Sequence, residues 1–121
     1  MPKKILLVDD EIPLLEFLAE RLKENGYEVV TATDGYQAVR ISHLEKIDLI
    51  VLDVRMPAGG LNAYDNIRHS QATGNIPIIF CTTYIDDKIL NMVEHDPLSD
   101  YIAKPFKIEA FLAKIRAKLG T

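Results

Sequence analysis

The chain has a single cysteine, Cys81, so no intrachain disulfide can form and a reducing, cytoplasmic home is expected. Long apolar runs are missing as well. None reaches the ~18 residues that a membrane-spanning helix needs. The first apolar stretch, Ile5 to Val8, is too short for a secretory signal and runs straight into Asp9, Asp10 and Glu11. Basic charge is in deficit: 14 Lys and Arg stand against 18 Asp and Glu, a net charge of -4, which argues against nonspecific nucleic-acid binding. Repeats, low-complexity segments and linkers are also lacking, so residues 1–121 read as one domain. With 48% apolar residues in 121, the chain can bury about two thirds of its unfolded surface, and no disulfide or metal staple is needed for stability.

What is present is a regular alternation. Apolar runs recur at Ile5 to Val8, Val29 to Ala32, Leu49 to Leu52, Ile78 to Cys81 and Tyr101 to Ala103. Runs so short and so continuously apolar suit strands buried on both faces of a parallel sheet. Between them lie helical patterns. Pro13 fits a first helical turn, Leu14, Leu15, Leu18 and Leu22 form a stripe, and Asn25-Gly26 stops it. Asp34 caps a second helix expected to run to about Lys46, and a weaker one is expected from Leu61 to about Gln71. Asp86 and Asp87 open a fourth that Pro97 closes, and Ile108, Phe111, Leu112, Ile115 and Leu119 mark the buried face of a fifth. Strand-helix alternation with right-handed crossovers predicts a doubly wound, three-layer α/β/α fold. Its five-stranded parallel sheet is expected in the order 2-1-3-4-5, with ligands beyond the carboxyl ends of the strands.

That edge collects polar residues: Asp9 and Asp10 after the first run, Asp53 after the third, Thr82 after the fourth and Lys104 after the fifth. Three carboxylates about 5 Å apart repel by roughly 3 kcal/mol per pair at an effective dielectric near 20, and a divalent cation removes that penalty. All-oxygen ligands favour Mg2+ or Mn2+. A metal beside a carboxylate, a hydroxyl and a lysine is equipment for handling a phosphoryl group, with Asp53 on the central strand as the nucleophile.

The stretches Leu6-Leu7-Val8-Asp9-Asp10-Glu11, Val51-Leu52-Asp53-Val54-Arg55-Met56-Pro57, Cys81-Thr82-Thr83 and Tyr101-Ile102-Ala103-Lys104-Pro105-Phe106 together resemble the response regulator receiver domain of two-component signalling. The resemblance covers the whole chain. It implies a flavodoxin-like fold and transfer of a phosphoryl group to Asp53 from a sensor histidine kinase or histidine phosphotransfer protein. It also implies Mg2+ held by Asp10, Asp53 and the carbonyl of Arg55, with Asp9 acting directly or through water. Thr82 and Tyr101 would move together and remodel the face of helix 4, strand 5 and helix 5, and the Lys104-Pro105 bond would be cis. The partner would be a downstream protein or an output domain outside this chain, with no direct nucleic-acid or membrane binding, and catalysis would be self-directed only. One departure stands out: the loop Ala58-Gly59-Gly60-Leu61 is one residue shorter than the family's usual turn and lacks its acid.

Other readings compete with this one. A haloacid-dehalogenase-type phosphatase expects a second Asp where Arg55 stands, and a flavodoxin-like cofactor binder would meet phosphate with three repelling acids. A degenerate receiver serving as a constitutive interaction module is the remaining alternative, and the presence of all five site residues counts against it. Cys81 reads as a small core residue, His43, His69 and His95 as surface residues, and Lys114, Arg116 and Lys118 as the solvated side of the last helix. Arg55 and Tyr84, two residues beyond Asp53 and Thr82, are the large side chains placed to crowd a water attacking in line.

Overall fold

The computed structural model describes residues 1–56 and 59–121. Ten elements alternate along the chain: β1 (Lys4–Val8), α1 (Ile12–Glu24), β2 (Glu28–Ala32), α2 (Gly35–Leu44), β3 (Leu49–Leu52), α3 (Gly60–His69), β4 (Ile78–Thr82), α4 (Asp87–Glu94), β5 (Ser99–Ala103) and α5 (Ile108–Leu119). The five strands are parallel, in the order β2-β1-β3-β4-β5. The helix ends follow local chemistry. Pro13 occupies the first turn of α1, where its missing N–H costs nothing. The Asp34 carboxylate accepts from the Gln37 N–H at 2.8 Å and Asp86 from the Ile89 N–H at 2.9 Å, so both cap as expected.

Several boundaries differ from the sequence expectation. α2 stops at Leu44 because Glu45 turns extended, sending Ile47 into the core. α3 stops at His69, with Ser70 extended and the Thr73 hydroxyl donating to the Ile67 carbonyl at 2.7 Å. β5 begins earlier, at Ser99, which registers with Ile78. β1, β3 and β4 are buried on both faces, but β2 and β5 are the sheet edges, so Glu28 and Thr31 are exposed and Asp100 and Tyr101 half-buried. Pro57 and Ala58, within the matched motif and the shortened loop, lie outside the described residues.

Period-two alternation sorts the strands onto two cores. Leu6, Val8, Ile50, Leu52, Ile78 and Phe80 face α2, α3 and α4. Ile5, Leu7, Leu49, Val51, Ile79 and Cys81 face α1 and α5. Right-handed crossovers dictate this split, because the chain moves outward from β1 to β2 and then steps back past β1 in the opposite direction.

At the amino edge of the sheet a polar clamp joins α3 to the turn before β5. Asp96 Oδ2 accepts from the Tyr64 hydroxyl at 2.6 Å and from Arg68 Nε at 2.9 Å, and its Oδ1 accepts from the Leu98 N–H at 3.0 Å. Arg68 also donates to the carbonyls of Gly74 and Ile76 at 3.0 and 2.6 Å. Burial alone would raise the Asp96 carboxyl, but the Tyr64 hydroxyl, the Leu98 N–H and Arg68 outweigh it and hold the group below the usual range. Because the folded-state value is depressed, this stabilisation is present above about pH 4 and is lost as pH falls further. Asp96→Ala is expected to lower the unfolding free energy by about 2–3 kcal/mol at neutral pH in denaturant titrations, against under ~1 kcal/mol for the half-exposed Lys114–Asp100 pair, with the gap closing at acid pH.

Candidate functional site

The carboxyl edge is assembled by backbone hydrogen bonds that continue the sheet one residue past β1, β3 and β5. The Asp53 N–H donates to the Val8 carbonyl at 3.0 Å, the Asp9 N–H to Ala32 at 3.1 Å and the Lys104 N–H to Thr82 at 2.9 Å. Each residue is thereby pinned beside its neighbour in a different strand. The two buried carboxylates are then oriented by their own loops. Asp9 Oδ1 accepts from the Glu11 N–H and Asp53 Oδ1 from the Arg55 N–H, both at 2.9 Å. These are Asx turns, in which the side chain holds the loop that follows it. The Lys104–Pro105 peptide bond is cis.

Asp9, Asp10 and Asp53 each offer a carboxylate oxygen within 4.8 Å of the others. Asp9 and Asp53 are buried and Asp10 is exposed. Lys104 reaches across the sheet to them, with Nζ 2.5 Å from Asp9 Oδ2 and 3.3 Å from Asp53 Oδ2, and 3.6 Å from a Glu11 oxygen. Burial pushes the Asp53 carboxyl up, and its proximity to Asp9 adds to this; the Arg55 N–H and Lys104 only partly offset the rise. Desolvation would lower Lys104, but the hydrogen bond to Asp9 and the charges of Asp53 and Asp9 outweigh it, so the ammonium stays charged. One ammonium against the three clustered carboxylates leaves a surplus of two negative charges, and Glu11 at the rim adds a third. A small, hard divalent cation with oxygen ligands matches both that surplus and the donor set.

Thr82 ends β4 rather than following it, and its Oγ1 is buried with no hydrogen-bond partner among the described residues. A buried hydroxyl left unpaired costs about 1–3 kcal/mol, and this one can donate or accept a hydrogen bond. Tyr101 is not brought into the acidic cluster. It lies half-buried on β5, packs against the core beneath α2 to α4, and carries Lys114 Nζ 5.3 Å from its ring centroid. Arg55 and Tyr84 do meet: the guanidinium lies 4.8 Å from the Tyr84 ring centroid, a cation–π contact joining the loops after β3 and β4.

Cys81 is buried with its thiol pushed up to about 12 by desolvation, an inert core residue. His43 and His69 lie on α2 and α3, and His95 sits just past α4 as its C-cap. Each ring Nδ1 bonds a carbonyl four residues back. His43 Nε2 also meets Ser70 Oγ at 3.0 Å, a tie between α2 and α3 that the sequence did not reveal. The pairing of Glu11 with Lys104 was also missed, although the run Asp9-Asp10-Glu11 was its signal.

A parallel sheet that gathers a carboxylate cluster, a threonine and a lysine at its switch point defines the receiver class of α/β domains. The family model for the response regulator receiver domain matches residues 5–116, and the chain belongs to that family. Over 119 residues it is 43% identical to the "Probable transcriptional regulator ycf27" of Cyanophora paradoxa, covering 97% of this chain but only 48% of that protein. Chemotaxis protein CheY4 of Vibrio cholerae superposes with a TM-score of 0.90 at 28% identity, covering 98% of this chain and all of its own. The receiver domain of sensor histidine kinase PA1611 from Pseudomonas aeruginosa, described with a magnesium ion coordinated in its active site cleft, superposes at 0.88 with 30% identity over the whole of both chains.

The charge surplus makes a prediction about cation affinity. Asp10→Asn removes a negative ligand and is expected to weaken Mg2+ binding at least tenfold in a calorimetric titration, whereas Lys104→Ala removes the competing ammonium and is expected to strengthen it.

Proposed function

We propose that this receiver domain is a phosphorylation switch in which Asp53 accepts a phosphoryl group from the phosphohistidine of a sensor histidine kinase or histidine phosphotransfer protein. The observation that carries this reading is the convergence of Asp9, Asp53 and Lys104 from three strands into one hydrogen-bonded cluster beside the unpaired Thr82 hydroxyl. A carboxylate oxygen of Asp53 bonds to phosphorus as the P–N bond of the donor breaks, and the electron pair leaves with the imidazole, which takes a proton from solvent. Lys104 stays charged and neutralises a phosphoryl oxygen, and Thr82 Oγ1 donates to another. Asp9, Asp10, Asp53 and the carbonyl of Arg55 would hold Mg2+, which when bound supplies charge neutralisation to the phosphoryl oxygens. Water later attacks the acyl phosphate and releases inorganic phosphate, so catalysis is confined to the domain's own modification.

In this reading Thr82 moves toward the phosphoryl group and Tyr101 follows, altering the face of α4, β5 and α5 for a downstream protein or an output domain. The chain spans about half of its curated relative, a transcriptional regulator by name, which supports an output domain as one such partner. A degenerate receiver acting as a constitutive interaction module is disfavoured because Asp53, Thr82 and Lys104 are all in place.

Asp53→Asn is expected to abolish labelling by acetyl phosphate or phosphoramidate with Mg2+. The wild type gains one base- and hydroxylamine-labile phosphoryl group by intact mass, and full labelling of the variant rejects Asp53 as the acceptor.

The Arg55–Tyr84 contact is expected to slow hydrolysis by screening the water route. Replacing both residues with Ala is expected to speed autodephosphorylation about tenfold, equivalent to ~1.4 kcal/mol of barrier. An unchanged decay rate at equal Mg2+ affinity leaves the lifetime to Thr82, Lys104 and the metal.

A further inference from the structure

The first turn of α3 touches the backbone of the nucleophile itself. A Cβ built on Gly60 would lie 2.3 Å from the Asp53 carbonyl oxygen, 2.5 Å from Val54 Cα and 3.0 Å from the Asp53 carbonyl carbon. All three are backbone atoms, which cannot rotate aside as a side chain can. Ordinary contact begins at 3.4 Å, so any side chain at position 60 would have to drive α3 and residues 53–54 apart by about 1 Å. Gly60 is needed for space, whereas its neighbour Gly59 is needed for conformation: Gly59 has φ +54°, and its Cβ would meet only the flexible Asn62 side chain, at 3.1 Å.

Which partner would yield is set by how each is held. α3 is fixed along its length, since Ala63, Tyr64 and Ile67 are buried and the Asp96 clamp grips Tyr64 and Arg68. Past the Asp53 N–H bond to Val8, the loop after β3 is held by Val54 and Met56 against the core, by the Arg55 contact with Tyr84 and by the Arg55 N–H bond to Asp53 Oδ1, of which the last is a bond to the nucleophile's own carboxylate. A shift of residues 53–55 would therefore turn the Asp53 side chain and move the Arg55 carbonyl together.

We propose that Gly60 is a positioning residue for phosphoryl transfer. Its missing side chain lets the clamped α3 serve as a fixed stop against the backbone of residues 53 and 54, and that stop sets the aim of Asp53 and the place of the Arg55 carbonyl. The proposal rests on the reading of Asp53 as the phosphoacceptor. A displacement of about 1 Å in an aligned reacting group costs on the order of a hundredfold in rate.

The test compares Gly60→Ala with Gly59→Ala and Ile67→Val, each measured for acetyl phosphate labelling rate per folded molecule, Mg2+ affinity and thermal unfolding. Gly59→Ala strains the same loop, and Ile67→Val loosens the same helix without crowding Asp53. Gly60→Ala is expected to label about a hundredfold more slowly and to bind Mg2+ more weakly, while the other two lose stability with labelling within threefold of wild type. Gly60→Ala labelling within threefold of wild type, or all three variants slowing in proportion to lost stability, overturns the proposal. Absence of labelling in the wild type overturns the phosphoacceptor reading instead. Should Gly60→Ala not fold, wild-type amide NMR decides. The Gly60 and Leu61 amides are expected to shift with Arg55 at one Mg2+ midpoint while Ile67 stays still, and an unmoved Gly60 overturns the stop.

Discussion

The structure depends on one electrostatic constraint: two buried carboxylates and a third at the surface share the carboxyl edge of the sheet with a single ammonium. Lys104 spans from β5 past β4 to reach Asp53 after β3 and Asp9 after β1. The strand order makes this reach available, because β3 and β4 lie between β1 and β5 and every strand ends on the same edge. A pair buried this way contributes little net stability after desolvation. Its consequence is poise: the cluster keeps an excess of negative charge and holds a carboxyl that burial makes reluctant to ionise.

Asp53 and Asp96 show how the same side chain is set to opposite ends. Asp53 is buried and Asp96 half-buried, and both are near a cation. Asp96 receives the Tyr64 hydroxyl, the Leu98 N–H and Arg68, and its carboxyl falls below the ordinary range. Asp53 receives one N–H and a more distant Lys104, faces Asp9, and rises above it. The difference lies in depth, since burial is the main cause of the Asp53 rise, together with the number and quality of the donors each carboxylate receives. The amino edge is consequently a clamp that fixes α3, with only Arg68 Nη2 in it left unpaired among the described residues, and the carboxyl edge keeps an excess of negative charge and an unpaired hydroxyl, as perturbed groups concentrate at functional sites. Between the two edges, α4 is the helix least committed to the core, with Ile89 its only buried side chain. A helix with so few buried contacts is the element that can repack at low cost.

Much of this was legible in the residues. Continuous apolar runs of three or four residues, separated by helical stripes and caps such as Asp34 and Asp86, determined the α/β class, and five strands then suggested the order 2-1-3-4-5. The polar residues after the first, third, fourth and fifth runs marked the candidate site, because in such a sheet those ends share an edge. Strand and helix ends were less legible: α2 stops at Leu44 and β5 starts at Ser99 because tertiary contacts of Ile47 and the register with Ile78 outweigh local propensity. The sequence by itself therefore determined which residues meet at the carboxyl edge, through periodicity and topology. Only the tertiary structure decided the distances on which chemistry turns: that Lys104 binds Asp9 more closely than Asp53, that Thr82 Oγ1 is buried without a partner, that Asp96 clamps α3, and that Gly60 abuts the Asp53 backbone. These are contacts between residues dozens of positions apart or across a turn, and no local pattern encodes them, because they are set by how two packed surfaces finally fit.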